Sequence, residues 1–133
     1  MTIVLFACIH NAGRSQMAAA LFNHLADPAK ARAISAGTDP GSHVHPEVLQ
    51  AMQELDVDLS AVVPRKLTQE LASTASLLIT MGCGEACPVV PGLERDDWPL
   101  EDPKGKSVER VRRIRADIAD RVSRLLQAKG WAR

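Results

Sequence analysis

The stretch that decides the fold is Leu5–Ala18, LFACIHNAGRSQMA. The apolar run Ile3–Ala7 leads into it and ends at Cys8. A run with no polar alternation fits a strand buried on both faces. Small and polar residues then lead to Arg14 and Ser15. From Ser15 to Leu25, Met17, Leu21 and Leu25 recur on one helical stripe. The stretch therefore reads as strand, short loop and helix. A thiol closes the strand and a guanidinium opens the helix.

The same alternation continues outward. RAISAG (32–37) predicts a short second strand ending at Gly37, followed by the loop TDPGSHV (38–44). Pro46–Leu55 predicts a second helix, with proline in its first turn and Val48, Met52 and Leu55 facing inward. ASLLITM (75–81) is a third buried strand. Residues 82–106 are rich in Gly and Pro and predict mostly loop, with a short strand around Glu94–Trp98. The last helix runs from Ser107 to Gln127 on the stripe Val108, Val111, Ile114, Ile118, Val122 and Leu125. Strands alternating with helices imply an α/β domain over residues 1–133, its central parallel sheet flanked by helices on both faces. Such sheets bind ligands at the carboxyl ends of their strands, which is where Cys8 stands.

Composition removes several classes of function. Sixteen basic and sixteen acidic side chains balance, so no whole-chain charge favours nucleic acid. With no tyrosine, two phenylalanines and two tryptophans, there is no aromatic platform for stacking bases. The opening apolar run has neither a basic flank nor a cleavage pattern, and no segment is long enough to span a membrane; the expectation is a cytoplasmic protein. In that compartment three cysteines do not form a static disulfide framework.

A loop between a buried strand and a helix start gathers backbone N–H groups that have no intrahelical partner. With the helix dipole behind them, the N–H groups of residues 9–15 make an anion site. The predicted oxyanion-binding residues are thus Ile9, His10, Asn11, Ala12, Gly13, Arg14 and Ser15. Arg14 adds a planar fork of donors suited to a tetrahedral oxyanion. The same positive field favours a thiolate at Cys8. Gly13 lets the backbone curl close, Asn11 can hold the loop by bonds to backbone, and Ser15 can either bond the Cys8 sulfur or cap the helix. The alternative is a structural cysteine beside a surface arginine. The nucleotide-binding pattern G-x-x-x-x-G-K-[ST] is absent.

Expelling an oxygen from an oxyanion calls for an acid. Asp96, Asp97, Glu101 and Asp102 are candidates. Asp102 precedes Pro103, which biases it toward extended backbone, and it follows the last strand. A simple turn aspartate is the competing reading. Cys83 follows the third strand, and Cys87 lies four residues on. Zinc would need a fuller ligand set than this Cys-x3-Cys pair, so no metal is expected. The pair is either buried and inert or a relay, in which Cys83 attacks Cys8 sulfur and Cys87 then attacks Cys83. His10 lies in the loop and His45 leads into the second helix; His24 and His43 read as surface positions.

CIHNAGRSQMA, SAGT, VHPEVLQAM, ITMGCGEACP and WPLEDP, in that order along the chain, resemble the arsenate reductases built on the low-molecular-weight tyrosine phosphatase fold. The resemblance implies that fold, with a four-stranded parallel sheet. It implies that Cys8 attacks arsenate, that Arg14 and the loop amides hold the oxyanion, and that Asp102 is the general acid. It implies a Cys83–Cys87 disulfide at the end of each turnover, reduced by thioredoxin, with no bound cofactor. Related reductases use a small thiol such as mycothiol, bacillithiol or glutathione instead. The Cys83–Cys87 spacing is shorter than in thioredoxin-coupled members. Some members bind potassium through an acidic side chain in the first helix; the matching position here is Ala19, so that cation is not expected. The remaining expectations are a monomer, with phosphate and sulfate competing for the anion site. The runner-up, a tyrosine phosphatase, shares Cys8, Arg14 and the later aspartate. It has no chemical use for the other two thiols, and it would place aromatic residues where Lys104 and Gly105 follow Pro103.

Overall fold

The structure, a computed structural model, describes residues 1–82 and 91–133. In chain order the elements are β1 (Thr2–Cys8), α1 (Arg14–Leu25), β2 (Ala31–Gly37), α2 (Pro46–Gln53), α3 (Gln69–Ser73), β3 (Leu77–Thr80), β4 (Glu94–Asp97) and α4 (Val108–Lys129). The strands form one parallel sheet in the order β2-β1-β3-β4. The chain steps from β1 outward to β2, then returns past β1 to β3. Strand order therefore reverses between β1 and β3, and a crevice opens beyond their carboxyl ends. Cys8 is the last residue of β1 and is paired with Gly37 of β2.

Both faces of β1 are covered, which is why its sequence is continuously apolar. Val4, Phe6 and Cys8 face the larger cluster, built with α1, α2 and α4. Leu5 and Ala7 face a smaller one with Ala36, Leu67, Ala72 and Leu78, closed by α3. Phe6 is fully buried, with ring centroids of Phe22 at 6.0 Å and Trp98 at 5.5 Å. Burying a side chain of this size stabilises by about 1.5–3 kcal/mol. This packing fixes the height of Cys8, two residues on.

Two local expectations shift. α2 ends at Gln53, and the chain turns through Asp56, whose φ is 59°. Leu55 is therefore exposed, and Val57 takes the inward place, its N–H bonding the Met52 carbonyl. On α4 the buried stripe is Val111, Ile114, Ile118, Val122 and Leu126, with Leu125 only partly covered. The helix begins with Ser107 accepting from the Arg110 N–H and ends at Gly130 in the left-handed region. All four residues of β4, Glu94, Arg95, Asp96 and Asp97, are exposed. Among the described residues no helix is long and apolar enough to cross a membrane.

Candidate active site

The loop after Cys8 is held from outside, carbonyl by carbonyl. The Cys8 carbonyl accepts from Thr38 N–H (3.1 Å), Ile9 from Asp39 (2.8 Å), His10 from Gly41 (2.9 Å) and Ala12 from His45 (2.9 Å). The Asn11 carbonyl accepts from the Gln16 side chain at 3.1 Å, and the Gly13 carbonyl from Met17 N–H at 3.0 Å. In a trans peptide the carbonyl of one residue and the N–H of the next point opposite ways, and there is no cis bond among the described residues. Six outward carbonyls thus turn the N–H groups of residues 9–14 toward the inside of the loop. Gly13, the N-cap of α1, contributes no side-chain cap, so the first-turn N–H groups stay free for a ligand. The anion cradle predicted for residues 9–15 falls on this loop, with the inward N–H groups those of residues 9–14. The outer ring of donors, residues 38–45, was legible in sequence only as a polar loop.

Asn11 makes the tightest bend, with φ of 51°, a region asparagine tolerates better than most residues. It is fully buried. Its carbonyl Oδ1 accepts from Arg65 N–H at 3.0 Å and Gln16 Nε2 at 3.1 Å. Its Nδ2 donates to Ser15 Oγ at 2.8 Å. Ser15 Oγ also lies 2.8 Å from Cys8 Sγ. The Ser15 hydroxyl thus accepts from Asn11 and shares a hydrogen bond with the Cys8 sulfur, linking the bend of the loop to the end of β1. Of the two roles open to Ser15, the structure has the bond to sulfur.

Arg14 is nearly buried, its side chain 8% exposed. Nη1 donates to the Leu100 carbonyl at 3.0 Å, and Nη2 stands 3.8 Å from Asp102 Oδ2. Gly82 lies beneath it with φ of 94°; a β-carbon there would sit 2.5 Å from Nη1, so bare backbone is required. The four acid candidates separate. Asp97 accepts from the Thr80 hydroxyl at 2.7 Å, and Asp96 from Trp98 Nε1 at 3.2 Å, both on the edge strand. Glu101 is taken by Arg110 at 2.9 Å and Lys106 at 3.7 Å. Asp102 alone is brought to Arg14 and the cradle, its Oδ1 accepting from Lys104 N–H at 3.0 Å. Cys83 and Cys87 lie outside the described residues.

His45 belongs to the site although the sequence offered it only as the residue leading into α2. Burial lowers its pKa, and of the nearby charges Asp102 acts most strongly, in the opposite direction. His10 Nδ1 lies 3.0 Å from the Asp39 carbonyl, on the rim. His24 and His43 are exposed. Among the described residues no three His, Cys, Asp or Glu side chains are grouped as a metal ion requires. A thiol nucleophile, inward N–H groups, a guanidinium and a half-buried carboxyl can together bind a tetrahedral oxyanion, attack its centre and protonate the oxygen that leaves.

The sequence profile of the low molecular weight phosphotyrosine protein phosphatases matches residues 3–130. A protein of Synechocystis sp. named glutaredoxin arsenate reductase is 33% identical over 129 residues, 95% of this chain and 97% of that one. The structure of the Corynebacterium glutamicum thioredoxin-dependent arsenate reductase superposes with a TM-score of 0.83 at 38% identity. That match covers 96% of this chain, which spans 61% of the length of the Corynebacterium protein. An arsenate reductase from Archaeoglobus fulgidus superposes with a TM-score of 0.79 at 33% identity, covering 93% of this chain and 98% of that one.

Proposed function

The chain belongs to the low molecular weight phosphotyrosine protein phosphatase family, and from that premise we propose that it is an arsenate reductase. The observation that carries the reading is the meeting of Cys8, at the floor of the amide cradle, with Arg14 and Asp102 at its rim. The names of the Synechocystis and Archaeoglobus relatives supply the substrate class.

The reaction runs in three steps. Arsenate binds with its oxygens on the N–H groups of residues 9–15 and on Arg14. The Cys8 thiolate attacks arsenic; the S–As bond forms, an As–O bond breaks, and Asp102 gives its proton to the departing oxygen. Cys83 thiolate then attacks Cys8 sulfur. The S–As electron pair goes to arsenic, which leaves as arsenite, and two thiols have become a disulfide. Cys87 displaces Cys8 from Cys83, restoring the nucleophile and leaving Cys83–Cys87 for thioredoxin to reduce. The name of the Corynebacterium relative supports thioredoxin as donor; a glutaredoxin or small thiol is the competing donor. We take the protein to work as a single-domain monomer in the cytoplasm.

The test is arsenate-dependent NADPH oxidation with thioredoxin and its reductase, run beside small-thiol systems. The expected result is sustained turnover with thioredoxin. Turnover only with a small thiol would replace the donor. Hydrolysis of aryl phosphates with no arsenite formed in any system would replace the reductase by a phosphatase.

A further inference from the structure

Gly13 is where three parts of the chain close on one point. A β-carbon at this position would lie 2.5 Å from Cγ and 3.3 Å from Cδ of Pro103, and 3.4 Å from Cδ2 of His45. The proline ring therefore rests on the bare α-carbon, and the imidazole flanks the same spot. Pro103 is buried while Lys104 beside it is exposed and Asp102 is half-buried. One ring is thus docked out of an otherwise open loop.

The loop around that ring is bonded to itself. Lys104 N–H bonds the Asp102 carboxylate at 3.0 Å, and Lys106 N–H bonds the Pro103 carbonyl at 3.0 Å. Proline fixes its own φ and narrows the conformations open to Asp102. Where the ring is seated, the carboxyl follows. His45 is anchored from the other side. Its N–H bonds the Ala12 carbonyl, and its carbonyl accepts from Val48 and Leu49 at the start of α2. Burial lowers the imidazole pKa, as do His10 and Lys104, against the opposing charges of Asp102 and Glu47. It meets Gly13 as a packed ring.

We propose that Pro103 and His45 are positioning residues that grip the cradle at Gly13 and so set the height of the Asp102 carboxyl above Cys8. Neither touches the oxyanion. The proposal rests on the reading of Asp102 as the acid, and it deepens that reading by naming what aims it.

Two reactions of Cys8 separate aim from nucleophile. In the arsenate step, the expelled oxygen needs a proton. In alkylation by iodoacetate, an S–C bond forms, a C–I bond breaks and iodide leaves without one. Both need the thiolate and the cradle. For Pro103→Ala, single-turnover arsenite release from pre-reduced protein should slow by about 10–10²-fold, the scale of a small misplacement of a reacting group. Its rate of alkylation, and the protection given by inorganic phosphate, should match wild type. His45→Ala should slow arsenite release in the same sense, and His45→Phe, which restores a planar ring without titration, should recover it. Thermal melts keep these readings to folded protein. Loss of both reactions together in Pro103→Ala would move the effect to the cradle itself and overturn the proposal, as would loss of neither. Asp102→Asn runs alongside. If it spares arsenite release, the acid reading fails; if it alone loses it, only the positioning role fails. Should wild type form no arsenite, the reductase reading fails, and phenyl phosphate hydrolysis replaces the arsenate step in the same comparison.

Discussion

On α4, Arg112 and Arg115 hold Glu54 at nitrogen–oxygen distances of 2.6 and 2.8 Å; at the cradle, Arg14 stands 3.8 Å from Asp102. The first group is closed. Arg112 reaches both carboxylate oxygens, Arg115 adds a bond to the Ala51 carbonyl, and the three side chains tie the end of α2 to α4. The second is open. Among the described residues Arg14 has one hydrogen-bond acceptor, the Leu100 carbonyl, although a guanidinium carries five donors. The closed group faces solvent and the open one is largely screened from it. Ions that satisfy each other in water contribute little and do no chemistry. A nearly buried guanidinium with donors to spare invites an anion. Distance and satisfaction, more than the presence of opposite charges, tell the two apart.

The comparison can be broken most severely at Asp102. Asp102→Asn should slow arsenate turnover by about 10²–10⁴-fold, the usual contribution of a general acid, whereas Asp97→Asn, whose partner is Thr80, should change little. Stopped-flow measurement of the first turnover reads both, and equal losses would return the acid to an open question among these residues.

Arg14→Lys comes next. It keeps the charge and removes the fork, so kcat/KM for arsenate should fall by about 10²–10³-fold, the scale of removing one preorganised oxyanion donor, and inorganic phosphate should protect Cys8 poorly from iodoacetate. Near-normal kinetics would show that the charge alone suffices.

The smallest effect belongs to the closed group. Arg112 and Arg115 hold the Glu54 carboxyl at a pKa of about 2, below its ordinary value of 4.5. A carboxyl whose folded pKa is depressed contributes stability above its unfolded pKa and loses it as pH falls toward the folded value. Glu54→Gln should therefore lower Tm slightly near pH 7. The gap from wild type should begin to close below pH 4.5 and vanish near pH 2. Arsenate kinetics should not change. A variant that melts like wild type at pH 7 would show that solvent cancels the pairs.

These contrasts also mark what the sequence could disclose. β1 and β3 are readable because strands buried on both faces are almost continuously apolar; β2, at the sheet edge with Arg32 exposed and Ser35 in its run, is readable as a short segment ending at Gly37. α3 is five residues long with one buried side chain, too short to print a period. The α4 stripe was readable from Val111 to Val122; Val108, in the first turn, is only half-buried, and beyond Val122 Leu125 and Leu126 both fit a 3.6-residue turn, and packing chose the second. At the site, Cys8, Arg14 and the cradle follow from local spacing. Asp102 was one candidate among four until the tertiary fold occupied the others. His45, Gly82 and the Leu100 carbonyl bear on the site through backbone and van der Waals contacts, which leave no residue pattern to read.

The exposed strand β4 has a consequence of its own. A strand at the border of a sheet offers a row of unpaired N–H and carbonyl groups to any other chain that can lie beside it. Here the border strand is four residues long and carries Glu94, Arg95, Asp96 and Asp97 with no apolar side chain among them, and the Asp97 N–H already bonds Asp96 Oδ1 at 2.9 Å. An incoming strand would gain backbone bonds but no hydrophobic contact, and would set its own charges against these. The border that frames the active edge is thus a poor template for a further strand.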